Sequence, residues 1–117
     1  SKVKEINMAI ATRKINLTDT TILTVPAEKS FAITTILVCN TAIEDGTGTN
    51  DTAFDMHVIP NGQTKSDTNL VINNVGVSAE DTFTFNVERI VLDEGDSIVL
   101  VGKTPANLSA TISYLEV

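Results

Sequence analysis

Three stretches of this 117-residue chain alternate apolar and polar residues with a period of two, and that period limits its possible folds more than any other feature. In "AFDMHVIP" Phe54, Met56 and Val58 fall on one side and Asp55 and His57 on the other. In "TFTFNVERI" Phe83, Phe85 and Val87 oppose Thr84, Asn86 and Glu88, and in "LSATISY" Leu108, Ala110, Ile112 and Tyr114 share a side. Extended backbone sends successive side chains to opposite faces, so each stretch predicts a strand with one apolar face. Such a strand must bury that face against a second layer.

Two further runs, "ITTILVCN" and "SIVLVG", are apolar almost throughout. They predict central strands covered on both sides, or strands whose outer face meets another subunit. Turn residues punctuate the runs at "VPAEKS", "IEDGTGTNDT", "IPNGQTKSD", "LDEGDS" and "GKTPAN". About eight strands fit between them, near 13–17, 20–25, 30–40, 53–60, 69–73, 82–90, 96–102 and 108–117. No stretch carries a capped 3.6-residue apolar period, and no internal repeat is visible. The expected fold class is all-β, an antiparallel β-sandwich of jelly-roll or Greek-key type, because an open sheet would leave long edges unpaired. With 42% hydrophobic but only 4% aromatic residues and no Trp, the core must be aliphatic and β-branched, which favours sheet.

Charge divides the chain unevenly. The net charge is -7; Lys2, Lys4, Arg13 and Lys14 against Glu5 give residues 1–14 a charge of +3, which leaves -10 for residues 15–117. The sequence therefore reads as a basic N-terminal arm, 1–14, on a single acidic β-sandwich domain, 15–117. An acidic body opposes binding to phosphate backbones, so no nucleic-acid partner is expected. No apolar run approaches the roughly 20 residues that span a bilayer, and no signal-peptide core opens the chain, so neither a membrane nor secretion is expected.

Chemistry-bearing residues are few. His57 is the only histidine and lies on the polar side of its strand, away from any serine or cysteine in sequence, so it reads as a surface or interface residue. Cys39, the only cysteine, sits within an apolar strand and reads as a small core residue. The acidic loop with Glu44, Asp45, Asn50 and Asp51 invites a calcium test, but lacks the D-x-[DN]-x-[DN]-G spacing. "LDEGDS", with Asp93, Glu94 and Asp96 around Gly95, has the chemistry of a tight turn. One Tyr and no Trp leave little for a sugar to stack on. No cofactor, metal or catalytic residue is expected, and the chain reads as a non-enzyme.

The order of turn signals supplies one more reading. "TVPA" (Thr24 to Ala27) leads into a strand ending "VCNT" (Val38 to Thr41), followed by "HVIPNG" (His57 to Gly62) and "VLDEGDSIVL" (Val91 to Leu100). From about Thr18 to Val117 this order resembles the small accessory virion proteins of tailed bacteriophages, which include capsid decoration or cement proteins and related β-sandwich modules of tails and fibres. The resemblance implies a structural role in the virion, with the major capsid protein or another virion protein as partner. The first expectation is a head decoration protein; the alternative is a tail, baseplate or fibre module that binds the host surface through the loops Glu44 to Asp51 and Asn61 to Thr68. Candidate partner-binding residues lie in the arm: Lys2, Lys4, Arg13 and Lys14 for an acidic surface, with Val3, Ile6, Met8 and Ile10 adding apolar area. The even spacing of Ile6, Met8 and Ile10 suggests a strand added to a partner or a neighbouring copy. A homo-oligomer is expected, with a trimer among the candidates.

Overall fold

A computed structural model describes residues 7–117, with the backbone alone for residue 7 and residues 87–89. Eight strands follow one another: β1 (Asn7–Ile15), β2 (Thr20–Thr24), β3 (Ser30–Asn40), β4 (Thr52–Ile59), β5 (Leu70–Val77), β6 (Thr82–Asp93), β7 (Ser97–Gly102) and β8 (Leu108–Glu116). They form two four-stranded antiparallel sheets, a front sheet in the order β1-β8-β3-β6 and a back sheet in the order β2-β7-β4-β5. The first half of the chain pairs with the second in reverse order: β1 with β8, β2 with β7, β3 with β6, β4 with β5. That is one long two-stranded ribbon wrapped into a sandwich, the topology of an eight-stranded jelly roll.

The alternating stretches bury the faces their period selects. Phe54 and Met56 from the back sheet and Leu108, Ala110 and Ile112 from the front are fully buried, together with Ile33, Ile36 and Val38 of β3. Phe54 meets Phe83 across the sandwich, edge to face, with centroids 5.5 Å apart, and Phe31 lies against Tyr114 at 4.4 Å. β3 departs from strict alternation at Ile33-Thr34-Thr35-Ile36, where the register slips by one residue against β8. Thr34 takes up the extra residue, donating its hydroxyl to Ser113 O at 3.0 Å.

β1 begins at Asn7 rather than near residue 13, so residues 7–14 belong to the sandwich as its front edge strand and not to a separate arm. The sequence pattern concealed this because the inward positions of β1 are Ala9, Ala11 and Arg13 before Ile15, whereas the bulkier Met8 and Ile10 point outward. β5 likewise runs on to Val77, past Asn73 and Asn74; Asn74 takes φ +52° at a bulge, a conformation Asn tolerates better than most residues.

Each end of the sandwich is locked by polar bonds. At one end the turns "TVPA", "IPNG" and "DEGD" clasp one another: Val25 N donates to Asp96 O (3.0 Å), Gly95 N to Val25 O (2.9 Å) and Asn61 N to Asp96 Oδ1 (2.8 Å). Gly95, at φ +82°, lies so close to Asn61 that a Cβ there would come within 2.4 Å of its Cγ. At the other end buried Asn40 donates to Asn50 O (2.8 Å) and Val77 O (3.0 Å) and accepts from Ala42 N (3.0 Å), which pins the acidic loop to the fold.

Candidate functional site: the outer face of the front sheet

The four front strands bring outward-pointing residues from distant parts of the chain into cross-strand rows. Met8, Leu115, Ala32 and Val91 form one row across the whole sheet, apolar at every position. Below it run Ile10, Ser113, Thr35 and Asn86, then Thr12, Thr111, Leu37 and Thr84, then Lys14, Ser109, Cys39 and Thr82. Met8, Ile10 and Val91 are 76%, 68% and 54% exposed, and Leu115, Ala32, Leu37 and Cys39 are half-buried with no described segment above them. Among the described residues this face carries one carboxylate, Asp93, which pairs with Ser30 beyond the apolar row and accepts from its hydroxyl at 2.8 Å, and one cation, Lys14, at the opposite corner, although the chain has 15 Asp and Glu. The other described acids lie in loops, at the end of β8 and on Asp55 of the back sheet. Removing water from such a surface desolvates few charges, although its hydroxyls must find hydrogen-bond partners there, and contiguous exposed apolar surface marks contact sites.

The candidate residues of the N-terminal segment are distributed as follows. Lys2, Val3, Lys4 and Ile6 lie outside the described residues. Met8 and Ile10 belong to the front face, and Lys14 stands at its far corner. Arg13 points the other way: its Nη1 donates to Thr21 O at 2.9 Å, joining the edge strand of the front sheet to that of the back sheet. Arg13 is therefore part of the scaffold.

Cys39 is a correction. It is half-buried on the outer side of β3, between Ser109 and Thr82, and not in the core. His57 points outward as its place in the alternation requires, yet it is only 6% exposed. The segment between β4 and β5 crosses the outer side of the back sheet and covers it: Asn69, itself buried, places Oδ1 2.8 Å from His57 Nδ1, and Lys65 forms an ion pair with Asp19 beside β2. Asn69 Nδ2 donates to Thr64 O and its Oδ1 accepts from Ser66 N, so His57 carries its proton on Nδ1 and donates. Among the described residues no serine, cysteine or carboxylate is hydrogen-bonded to His57, and no cavity or cleft is present.

In the acidic loop the side chains serve the loop's own backbone. Asp45 accepts from the hydroxyl of Thr47 (2.6 Å) and from its N–H (3.0 Å), and these bonds hold its carboxyl below the ordinary value of 3.8. Asp51 accepts from Ala79 N, and Glu44 from Gly46 N. Among the described residues no three His, Cys, Asp or Glu side chains converge as a metal site would need.

Comparison of the chain with protein-family models, with curated proteins and with solved structures finds no match in any of the three.

Of the candidate contact surface, sequence reasoning singled out Met8, Ile10 and Lys14 and missed the rest. The available signal was the outward series Thr82-Thr84, Ser109-Thr111-Ser113 and Leu37-Cys39, strand positions without charge in an acidic chain. Only the register shows that these series adjoin.

Proposed function

We propose that this protein is a non-enzymatic structural protein of a phage virion, a decoration protein that binds the outer surface of the head in many copies. The reading is supported by one observation above all: the outer face of the front sheet is broad and carries an apolar row with a single described carboxylate, Asp93, at one corner, the character of a protein-contact surface. The order of turn motifs agrees with it, although those motifs serve as the clasp at one end and the pin at the other rather than as contact residues. The major capsid protein is the proposed partner, met by the basic segment with Lys2, Val3, Lys4 and Ile6 that precedes Asn7. A contact of this size binds weakly alone, and repetition over a shell multiplies it.

The test is cryo-electron microscopy of particles carrying the tagged protein, beside particles exposed to a variant lacking residues 1–6. That deletion spares β1, which a longer one would remove. Density at capsomer seams or symmetry axes, lost with the deletion, is the expected result. Density confined to the tail would transfer the reading to a tail or fibre module, and absence from particles would sink both.

A further inference from the structure

We infer that the outer face of the front sheet is a self-association surface, on which a second copy of this chain packs face to face about a two-fold axis. The inference rests on the reading above only in taking this face as an interface; it adds the occupant.

Three observations select a second copy. The first is charge: with a net -7, two copies repel wherever their loops or strand ends meet, because those regions carry the described carboxylates. The front face sets the fewest carboxylates against one another: its one described carboxylate, Asp93, lies at one corner, and its single described cation, Lys14, in the opposite corner row. The second is shape and size. Nine paired residues at ~3.3 Å each and four strands at ~4.8 Å spacing give a footprint of about 30 by 19 Å, roughly 600 Å² in projection. Side-chain relief raises the accessible area of such a patch toward the ~800 Å² per partner of a standard interface. The third is composition. The rows of Ser, Thr, Ala, Leu and Val are the side chains that interdigitate between stacked sheets about 10 Å apart, and no described aromatic stands on the face to stack a sugar or a base.

The symmetry follows from the geometry. One face can meet only one other, and identical faces in contact are isologous, which makes a closed dimer. A trimer would need two different patches on each chain. Dimerisation through this face also joins two basic N-terminal segments in one particle-binding unit, so that attachment to a shell becomes bivalent.

The test is the mass of the purified full chain by sedimentation equilibrium, without particles, up to roughly 100 µM, well above the micromolar Kd of a modest interface. The expected result is twice the chain mass, with Thr111→Glu at the centre of the face weakening the dimer about 100-fold or more by setting like charges opposite each other. Thr84→Glu and Val91→Glu, at exposed positions of the same face, repeat the test should Thr111→Glu unfold, and Val71→Glu, exposed on the back edge strand, should leave the dimer intact. A monomer throughout, a trimer, or a dimer indifferent to all three front-face charges overturns the inference. A monomeric wild type whose particle binding is abolished by Thr84→Glu would also overturn it and make the shell the occupant. A dimer that ignores particles would leave the inference standing and overturn only the proposed function.

Discussion

The two sheets of this sandwich pack against a common core, yet they turn different surfaces outward. On the back sheet a loop returns across the strands, seals His57 and Val99 from water and fastens itself through Asn69 and the Lys65–Asp19 ion pair. On the front sheet no described segment returns, and apolar and hydroxyl rows stay open. Burial on an outer face therefore depends on the path of the connections: the β4–β5 link doubles back across its sheet, whereas the β3–β4 link, though no shorter, is pinned at the end of the sandwich by Asn40. A covered face contributes to the stability of the single chain, and an open one holds its apolar area for a partner.

Removing the fastening should have the largest effect. Asn69→Ala deprives His57 Nδ1 and Ser66 N of their acceptor and Thr64 O of a donor, which should lower the unfolding free energy by about 2–3 kcal/mol. Urea titration measures this, and hydrogen exchange should quicken across residues 61–69; an unchanged midpoint would mean the cover is held by something else. A more direct comparison truncates one outward residue on each sheet. Val99→Ala, under the cover, should cost about 1–2 kcal/mol, whereas Leu37→Ala should cost under about 1 kcal/mol in the monomer. Equal costs would show that the two faces are energetically alike.

Gly95→Ala tests the anchor from which the covering loop departs. Its positive φ and the nearness of Asn61 should make the substitution cost about 1 kcal/mol, and the same substitution in an Asn61→Ala background, which removes the side-chain atoms in the way, should cost less. The smallest effect belongs to the acidic loop. The Asp45 carboxyl is held below its ordinary 3.8, so its bonds to Thr47 stabilise the folded loop fully above that value and are lost as pH falls through the lower folded value. The Thr47 amide resonance should move in that acid window and stay still at neutral pH, and Thr47→Val should raise the Asp45 titration toward 3.8.

Particular elements show how legible the fold was. "AFDMHVIP" revealed both a strand and its buried side, since period two is a local property of extended backbone. β1 was hidden because its inward positions are Ala and Arg13, and an edge strand need not be apolar inside. The outward direction of His57 followed from its neighbours, but its burial did not, because the residue that covers it, Asn69, is fixed by the path of a loop. Cys39 was misplaced within an otherwise correct strand: a bulge at Thr34 sets the outward series of β3.

By itself the sequence determined that this chain makes a two-layer β structure with an aliphatic core, and where its turns fall. Those are consequences of alternation and turn chemistry, which act over a few residues. Tertiary structure alone decided which outward residues become neighbours. Met8 and Leu115 lie at opposite ends of the chain and touch the same row only because β1 pairs with β8, and Ala32 and Val91 complete that row through the pairing of β3 with β8 and β6. Register is a long-range choice, made by the burial of the opposite face, and the contact surface is its by-product.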